Sequence, residues 1–573
     1  MHETGQTRTA DAGPGFRLGA ALLVVLLVAV SDAPLAGEVG TDGEQQKTFT
    51  ITDDLLLIPI RNGAEKVQVS LFVDGKRVRR FNAELARTED DVSFWAFFDL
   101  RAFAGGKARV VASGEEPSRV ELIRQGDTYP GEQELYSEAW RPQFHFTTRR
   151  GWNNDPNGLV YFEGEWHLFY QHNPVGWAWG NMHWGHAVST DLVHWQELGD
   201  ALFPWSEDAR GHVFSGSGFI DWKNTSGFQD GDAPPLVVAF TDTEAGESLA
   251  YSNDRGRTLT AYEGNPVVEH EGRDPKILWH EPTARWVMAV YDETEERVID
   301  LYSSADLKDW RFESRLPGFY ECPELVELPL DGGQETRWMV FAADGEYVLG
   351  SFDGRVFRPE HEGKRQLWHG NFYASQLYSD APNGRRVQIG WARGNDYPGM
   401  PFNQGMTVPV DLSLRTTKDG PRLFAEPVPE LKALREEHRW VPAADVPPGD
   451  NALAGLEADV FEIDTTLQVD DEAVVTLAVG GARIVLNAGQ KTLQCGAVEA
   501  PLPLDEEGRV RLQVLVDRGS IEVFAGDGRV ALAEGVLLPR GDRALTLHAA
   551  RGKARMVSFD LWRLRSIWSA GGG

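Results

Sequence analysis

The sequence predicts an all-β protein in which a β-propeller stands between an N-terminal β-rich domain and a C-terminal β-sandwich. Near both ends of the chain, apolar and polar residues alternate in short runs bounded by turn residues, as in Lys66-Val-Gln-Val-Ser-Leu-Phe-Val73. This period of two is typical of strands with one buried face. Between these regions a weak pattern returns at intervals of roughly fifty residues, which is typical of propeller blades with several strands each.

Residues 1–37 are predicted to be a signal peptide. Residues 18–30 form an uninterrupted apolar run behind Arg8 and Arg17, and small residues follow it. A membrane-spanning helix needs about 20 apolar residues, so this run is short for one and is typical of an export signal. We therefore expect a secreted or periplasmic protein without membrane insertion of the mature chain, and an uncleaved anchor is the alternative.

Residues 38–128 are predicted to form an N-terminal β-rich, sandwich-like accessory domain. The alternation of apolar and polar residues continues over residues 45–122, with a turn at Asp74-Gly75. No pattern in this segment indicates catalysis, so its role is open between substrate binding and packing.

Residues 129–425 are predicted to form the propeller. The repeated pattern is a serine followed two positions later by an aspartate, after an aromatic or β-branched run that predicts a strand, so each copy is expected at a hairpin turn. The four copies begin at Ser189, Ser252, Ser304 and Ser351. The innermost strands of a propeller line one central channel, so residues from different repeats can meet at one end of it.

After the propeller we expect a linker at residues 426–440, with a helix around residues 429–438, and a C-terminal β-sandwich at residues 441–566. Alternation resumes at residues 510–516, 520–524 and 544–548, and Asp527-Gly528 supplies a hairpin turn. The 573-residue chain is long enough for several such domains.

The composition favours a neutral ligand. A formal net charge of −31 disfavours nucleic acid and anionic membranes, which select for clustered Lys and Arg. Most of the nineteen Trp are expected in the core, but their flat faces can also bind sugar rings. Cys322 and Cys495 are the only cysteines, and we expect two buried free thiols.

Three carboxylates, Asp155, Asp274 and Glu321, lie directly before a proline or one residue away from one, in three different repeats. A residue before proline is disfavoured in the helical region, so Asp155 and Asp274 are expected to have extended backbones with aimed side chains. Each motif also has an ordinary interpretation, because Asp-Pro-Asn-Gly is good turn chemistry and Arg273 can pair locally with Asp274.

Taken together, the three carboxylates predict a sugar-cleaving site. Glycoside hydrolysis needs an acid that protonates the leaving oxygen and, in retaining enzymes, a carboxylate nucleophile. We assign Asp155 as nucleophile and Glu321 as acid/base. Asp274 is expected to hold sugar hydroxyls and to stabilise the positive charge of the transition state, while Arg273 tunes that charge.

Six motifs occur in the order in which one known family has them, and the sequence resembles glycoside hydrolase family 32, the β-fructofuranosidases, which include invertases, inulinases and levanases. A further segment, Val516-Asp-Arg-Gly-Ser-Ile-Glu-Val-Phe524, resembles a motif of the C-terminal sandwich of that family. The six motifs are Trp152-Asn-Asn-Asp155-Pro-Asn-Gly158, Phe169-Tyr-Gln171-His-Asn-Pro174, Trp179-Gly-Asn-Met-His-Trp184-Gly-His186, Phe214-Ser-Gly-Ser217, Arg273-Asp274-Pro275 and Glu321-Cys322-Pro323.

The resemblance implies a five-bladed propeller, retention of configuration, the three catalytic roles assigned above, and neither a cofactor nor a metal. The N-terminal β-rich segment is absent from the plainest family members. By the same resemblance, the pocket for the terminal fructose of a fructan or sucrose substrate is lined by Asn154, Gln171, Trp179, Phe214, Ser215, Arg273 and Trp391.

Several functions stay open at this point. The first is an exo-acting fructan β-fructosidase that releases fructose from levan or inulin, with sucrose as a smaller substrate. An endo-acting levanase or inulinase is the alternative within the family. A catalytically inactive fructan-binding protein and an inverting glycosidase acting on pentose polymers are alternatives of other kinds. The sequence does not distinguish β-2,6 from β-2,1 linkages.

Overall fold

The structure, a computed structural model, describes residues 45–113, 120–294 and 296–568. The predicted signal peptide therefore lies outside the described residues. Within them, no helix has the length and apolar character needed to cross a membrane. Regular structure in the described part consists of strands and of short 3-10 turns at Glu89–Asp91, Arg101–Phe103, Glu132–Glu134, Glu281–Thr283, Pro382–Gly384 and Pro429–Leu434. The predicted all-β class is confirmed.

The N-terminal strands form two antiparallel sheets, with orders β1-β6-β3-β4 and β5-β2-β7. Their alternating apolar residues are buried between the sheets in a separate hydrophobic core. The strands are β1 Gln45–Thr50, β2 Leu55–Ile60, β3 Lys66–Val73, β4 Lys76–Glu84, β5 Phe94–Asp99, β6 Lys107–Ala112 and β7 Arg124–Gly126.

Five antiparallel sheets follow one another along the chain, which agrees with the five blades that the family resemblance implies. In each sheet the first strand in sequence begins the row, and the later strands follow outward. In the first sheet the short strand Phe402–Asn403 also pairs in parallel with Gly151–Phe162 on its other side. They are β8 Gly151–Phe162, β9 Glu165–Asn173, β10 His183–Ser189 and β11 Gln196–Leu202; β12 Val213–Phe214, β13 Gly218–Ile220, β14 Leu236–Asp242, β15 Gly246–Ser252 and β16 Thr260–Ala261; β17 Arg273–His280, β18 Arg285–Asp292, β19 Val298–Ser304 and β20 Trp310–Pro317; β21 Glu324–Pro329, β22 Thr336–Phe341, β23 Glu346–Phe352, β24 Phe357–Pro359 and β25 Arg365–Gln366; and β27 Tyr373–Leu377, β28 Val387–Trp391, β30 Val410–Thr417 and β31 Gly420–Pro427.

The repeated serine and aspartate mark the turn between the third and fourth strands of the first four sheets. Each aspartate accepts hydrogen bonds from backbone N–H groups two to four residues further on, which closes the turn. The four aspartates are Asp191, Asp254, Asp306 and Asp353. Their predicted position at hairpin turns is confirmed.

Two sheets pack into a C-terminal sandwich around their own core. The larger has the order β26-β42-β41-β40-β35-β44-β32, with β33 also on β44, and the smaller has the order β34-β43-β36-β37-β38-β39. The strands of this region and the short β29 are β26 Trp368–Gly370, β29 Phe402–Asn403, β32 Arg435–Trp440, β33 Ala444–Asp445, β34 Glu457–Ala458, β35 Phe461–Val469, β36 Val474–Val479, β37 Ala482–Asn487, β38 Thr492–Cys495, β39 Val498–Pro501, β40 Arg509–Val516, β41 Ser520–Ala525, β42 Val530–Gly535, β43 Arg543–Arg551 and β44 Ala554–Leu564.

The predicted helix at residues 429–438 is wrong. Pro429–Leu434 is a 3-10 turn that buries Leu431 and Leu434, and Arg435–Trp440 is a strand paired with β44. Residues 435–440 lack the apolar stripe that would bury one face of a helix. The edge of β44 supplies backbone hydrogen-bond partners instead, so residues 435–440 of the expected linker belong to the larger sheet of the sandwich.

The sandwich is joined to the five-sheet region by buried polar contacts. The Asp517 carboxylate accepts hydrogen bonds from the backbone N–H groups of Gln143 and Phe144, and lies 2.9 Å from His145 Nδ1. In addition, β26, which comes from the five-sheet region, pairs in parallel with β42. The segment that resembles a family motif, residues 516–524, therefore holds the two parts of the molecule together.

Candidate active site

Three of the innermost strands carry a β-bulge at the same end of the five-sheet region. The pairing of β8 with β9 shifts between Asn153 and Pro156, and that of β17 with β18 shifts between Arg273 and Lys276. The pairing of β27 with β28 shifts after Tyr373. A bulge bends its strand and redirects the neighbouring side chains, so these irregularities turn polar residues toward a common point.

The other two sheets are irregular at the same place. In the second sheet the innermost row is divided into β12 and β13, and a Cβ added at Gly216 in the gap would lie 2.0 Å from the Ala239 carbonyl oxygen. Only glycine fits this close approach. Ahead of β21, Glu321 and Cys322 both have positive φ angles, 50° and 43°. Such strained backbone clusters at functional sites.

Around this point lies a cavity of about 430 Å³, within the range of small-molecule sites. All ten residues predicted for the site line it: Asn154, Asp155, Gln171, Trp179, Phe214, Ser215, Arg273, Asp274, Glu321 and Trp391. Their placement agrees with the sequence analysis, while the role of each residue stays a prediction.

Asp155 lies in the bulged strand β8, so Asp-Pro-Asn-Gly does not form a separate turn. Its Oδ2 accepts a hydrogen bond of 2.6 Å from Ser215 Oγ, and its Oδ1 accepts one of 3.0 Å from Asn154 Nδ2. Burial raises the pKa of Asp155 to about 6; the hydrogen bonds act in the opposite direction, and the charge of Glu321 adds to the rise. The two hydrogen bonds thus orient the Asp155 carboxylate, while burial makes its ionisation unfavourable.

Asp274 was expected to have an extended backbone because it precedes a proline, and this prediction is wrong. Its φ is 67°, in the left-handed region, where the bulge of β17 places it. Its N–H donates to Thr241 Oγ1, and its Oδ2 accepts from the Cys322 N–H at 3.1 Å. Burial raises the pKa of Asp274 to about 7, with further contributions from the charges of Glu321 and Asp155.

Glu321 accepts hydrogen bonds at both carboxylate oxygens. Arg273 donates to Oε1 from Nη2 at 2.7 Å and from Nε at 3.1 Å, and the Tyr373 hydroxyl donates to Oε2 at 2.5 Å. Burial and the bond to Glu321 both raise the pKa of Tyr373, so its hydroxyl remains a donor. Arg273 also donates to Glu293 and therefore lies fixed between two carboxylates.

Aromatic side chains line part of the cavity. The side chain of Trp179 is 48% exposed at the rim, and its ring meets that of Phe214 edge-on at 6.1 Å between centroids. Trp391 is oriented by a hydrogen bond from its Nε1 to Gln404. Gln171 is buried and donates to the Val213 carbonyl oxygen. Aromatic rings together with carboxylates and amides suit a neutral polyol with an apolar face.

Sequence reasoning missed three residues that line the cavity, Tyr320, Tyr373 and Arg393, and also missed the position of Cys322 beneath it. The Cys322 Sγ lies 3.4 Å from Asp274 Oδ2 and 3.9 Å from Asp155 Oδ2. Tyr320 and Arg393 could have been found as near neighbours of predicted residues. Tyr373 lies in none of the quoted motifs. Both cysteines are buried free thiols, as predicted.

One cluster among the described residues has spacing suitable for a metal ion, and it consists of His270, Asp292 and Asp300. Arg315 already forms ion pairs with both aspartates, at 3.0 Å and 2.6 Å. None of these residues lines the candidate active site. The Arg315 guanidinium thus already neutralises the negative charge of this cluster.

Comparison with known proteins identifies both halves of this architecture. Residues 145–427 match the family model "Glycosyl hydrolases family 32 N-terminal domain", and residues 466–563 match "Glycosyl hydrolases family 32 C terminal". A levanase of Bacillus subtilis is 37% identical over 76% of this chain and 72% of its own length. The extracellular exo-inulinase inuE of Aspergillus niger is 30% identical over 76% and 96%. The crystal structure of an exo-inulinase from Aspergillus awamori superimposes with a TM-score of 0.69 at 28% identity, covering 76% of this chain and all of that one.

Proposed function

Because the chain belongs to glycosyl hydrolase family 32, we propose that it is an exported retaining glycosidase that removes terminal β-D-fructofuranosyl units from fructans, levan or inulin, and from sucrose. The observation that carries the proposal is the convergence of Asp155, Asp274 and Glu321 on one cavity that aromatic side chains also line. Curated relatives named levanase and exo-inulinase support the substrate class. We assign catalysis to the five-sheet unit, residues 129–425.

In the proposed reaction, Asp155 attacks the anomeric carbon of the fructosyl unit while Glu321 protonates the departing oxygen. Water, activated by Glu321, then cleaves the fructosyl–enzyme ester with a second inversion, so the configuration is retained overall. Asp155 must be ionised to attack, and its pKa of about 6 sets a lower pH limit on activity. Ser215 and Asn154 fix the two carboxylate oxygens and so fix the direction of attack.

Asp274 and Arg273 stand beside the reacting groups in complementary roles. In its ionised form Asp274 stabilises the positive charge that develops on the sugar, and it also accepts hydrogen bonds from sugar hydroxyls. Arg273 holds Glu321 in place through two hydrogen bonds. Trp179, Phe214 and Trp391 pack against the sugar carbons, which a neutral substrate requires.

We further propose that the mature protein is secreted or periplasmic, in keeping with the apolar run at residues 18–30 and with the relatives named extracellular. Exo action is favoured over endo action because the cavity is the size of a small-molecule site and all ten predicted residues surround one point. An endo enzyme would instead need a long open groove.

The first test is an early product profile from levan, inulin and sucrose with the purified mature protein. We expect fructose alone from the polymers, first released as the β anomer. Glu321→Ala should lower turnover about 10²- to 10⁴-fold, the usual contribution of a positioned acid, and Asp155→Ala should abolish it. Glu335→Ala, at an exposed carboxylate outside the cavity, serves as the matched control.

Each contrary result would refute a different part of the proposal. Oligosaccharides appearing before fructose would indicate an endo enzyme, and an α anomer would indicate inversion. Turnover of Asp155→Ala at the rate of the unmodified protein would remove Asp155 from its assigned role. No product from any of the three substrates would refute the proposed hydrolase and favour a fructan-binding protein.

A further inference from the structure

A second large cavity lies at the opposite ends of the innermost strands. Strand β17 starts at the active site with Arg273 and Asp274, and its second half lines a cavity of about 500 Å³ through residues 276–282. At about 3.3 Å per residue the two ends of this eight-residue strand are roughly 23 Å apart. The buried Lys276 ammonium donates to Glu324 Oε1 and to the Leu377 carbonyl oxygen, each at 3.0 Å, and fills the space between the innermost strands.

The second cavity offers an exposed aromatic platform. The Trp222 side chain is 61% exposed, and its indole N–H donates to Asp380 Oδ1 at 2.7 Å, which orients the ring. Trp279 and Trp338 also line the cavity, but the Lys223 ammonium lies 4.3 Å from the centroid of the Trp279 ring and covers one face. Trp222 is therefore the ring best able to receive a flat apolar surface.

The charges around this cavity balance. Four cationic side chains face four carboxylates, and several are already paired, such as Lys223 with Glu281 at 3.1 Å. The buried Tyr378 hydroxyl, also in the lining, has no hydrogen-bond partner within the described part of the chain. The charged residues are Lys223, Lys276, Arg385 and Arg386 with Glu281, Glu324, Glu327 and Asp380. Balanced charge and an open indole suit a neutral carbohydrate.

We propose that this cavity is a second carbohydrate-binding site, which holds a segment of the fructan while chain ends are hydrolysed at the other end of the five-sheet region. This proposal rests on the proposed function for the identity of the sugar. Holding a polymer at a second site raises the local concentration of its chain ends at the active site. Sucrose is too short to occupy both sites at once, so the second site should raise the rate of hydrolysis of polymer substrates only.

The test uses Trp222→Ala, with Trp222→Phe as the conservative variant. Trp440→Ala is the matched control, because Trp440 is 67% exposed on β32 in the C-terminal sandwich, outside the cavity. Binding is measured as retardation in gels containing levan or inulin, with Asp155→Asn in every protein so that the polymer survives. Hydrolysis is measured separately with Asp155 intact, on sucrose and on each polymer.

We expect Trp222→Ala to weaken retardation about 3- to 10-fold, the effect of losing one stacked ring, and to leave kcat/KM on sucrose unchanged. Trp222→Phe should restore most of the retardation, and Trp440→Ala should have no effect. Unchanged retardation by Trp222→Ala with both polymers would overturn the second site. Absence of hydrolysis by the protein with all its native residues would instead refute the proposed function, so the two failures are distinguishable.

An independent observation concerns the N-terminal domain. The loop of residues 174–182, between β9 and β10, carries Trp179 to the rim of the active site. Near its start, Val175 is fully buried in the N-terminal hydrophobic core, where Trp177 packs as well. Near its end, the Asn181 side chain donates to the Asn82 carbonyl oxygen and accepts from the Asn82 N–H on β4, both at 2.8 Å. The N-terminal domain thus holds this loop on both sides of Trp179.

We infer that the N-terminal domain positions Trp179 for substrate, with Asn181 as a positioning residue. The φ of Asn181 is 46°, a conformation that glycine adopts freely, so Asn181→Gly adds no backbone strain. It removes both hydrogen bonds to Asn82 and a third one of 3.0 Å from Asn181 Nδ2 to Asn173 Oδ1 at the end of β9. The matched control is Lys76→Ala, which removes an exposed ion pair with Glu207 between the same domain and another loop.

The readout is the division of the effect between KM and kcat. Asn181→Gly should raise KM for the fructan by up to about 3- to 10-fold, the contribution of the one aromatic ring whose position it disturbs, with kcat within about twofold of its original value. Combined with Trp179→Ala, it should add no further increase in KM, because it acts through that ring. Multiplicative effects in the double variant, or a fall in kcat alone, would overturn the inference, and Lys76→Ala should change neither constant.

Discussion

Removing the Ser215 hydroxyl should move the lower pH limit of activity upward. Ser215 Oγ donates a hydrogen bond of 2.6 Å to Asp155 Oδ2 and thereby opposes the rise in the pKa of Asp155 that burial causes. A hydrogen bond to a charged group contributes about 1.5–3 kcal/mol. At 1.36 kcal/mol per pKa unit, its loss in Ser215→Ala raises the pKa of Asp155 by about 1 to 2 units above its value of about 6.

Because only ionised Asp155 attacks the substrate, the ionised fraction at pH 6 should fall about 5- to 50-fold in this variant. The assay is the pH profile of kcat/KM on sucrose between pH 4 and 9, for the unmodified protein, Ser215→Ala and Ser215→Thr. The threonine variant retains the hydroxyl and should keep the original acidic limb. A uniform loss at every pH would mean that Ser215 only binds substrate, and an acidic limb that does not move would refute the assigned link to Asp155.

Three further outcomes follow from the ionisable groups. Asp274→Asn should stabilise the protein by up to about 4 kcal/mol above pH 7 and not at all below pH 3.8. The reason is that folding raises the pKa of Asp274 from 3.8 to about 7 and so opposes its ionisation. Thermal unfolding at pH 8 and pH 4 measures this difference, and equal changes in melting temperature at the two pH values would contradict it. Asp517→Asn should lower stability by up to about 3 kcal/mol between pH 3.8 and pH 6.5, and the difference should shrink as pH rises through about 9. Burial lowers the pKa of His145, but Asp517, together with Glu522, raises it further, to about 9. A difference that stays constant with pH would count against this pairing. Burial raises the pKa of the Cys322 and Cys495 thiols, so neither should react with iodoacetamide at pH 8 before the protein unfolds, and labelling of the folded protein would contradict their burial.

The sequence was most informative where the interactions are local. The repeated aspartates close turns with backbone N–H groups only a few residues away, and their positions could be predicted without knowledge of the sheets. The helix expected at residues 429–438 failed for the opposite reason, since Arg435–Trp440 takes its partners from β44, more than a hundred residues later. A local pattern carries no information about such a partner.

The candidate site likewise contains residues that the sequence could predict and residues that it could not. The residue types and their motif order indicated the ten residues around the cavity, including Asp155 and Glu321. They did not indicate Tyr373, whose hydroxyl reaches Glu321 across the gap between two sheets. They also predicted an extended backbone at Asp274, whereas the bulge of β17 places it in the left-handed region.

The sequence by itself determined the all-β class, the turns between strands, the family and the ten residues that line the candidate site, because these depend on residue type and short-range spacing. The tertiary structure alone decided the ionisation of two of the site carboxylates. Burial and repulsion from neighbouring carboxylates of other sheets raise the pKa values of Asp155 and Asp274. Electrostatic energy depends on distance and solvent exposure, and neither quantity exists until the chain has folded.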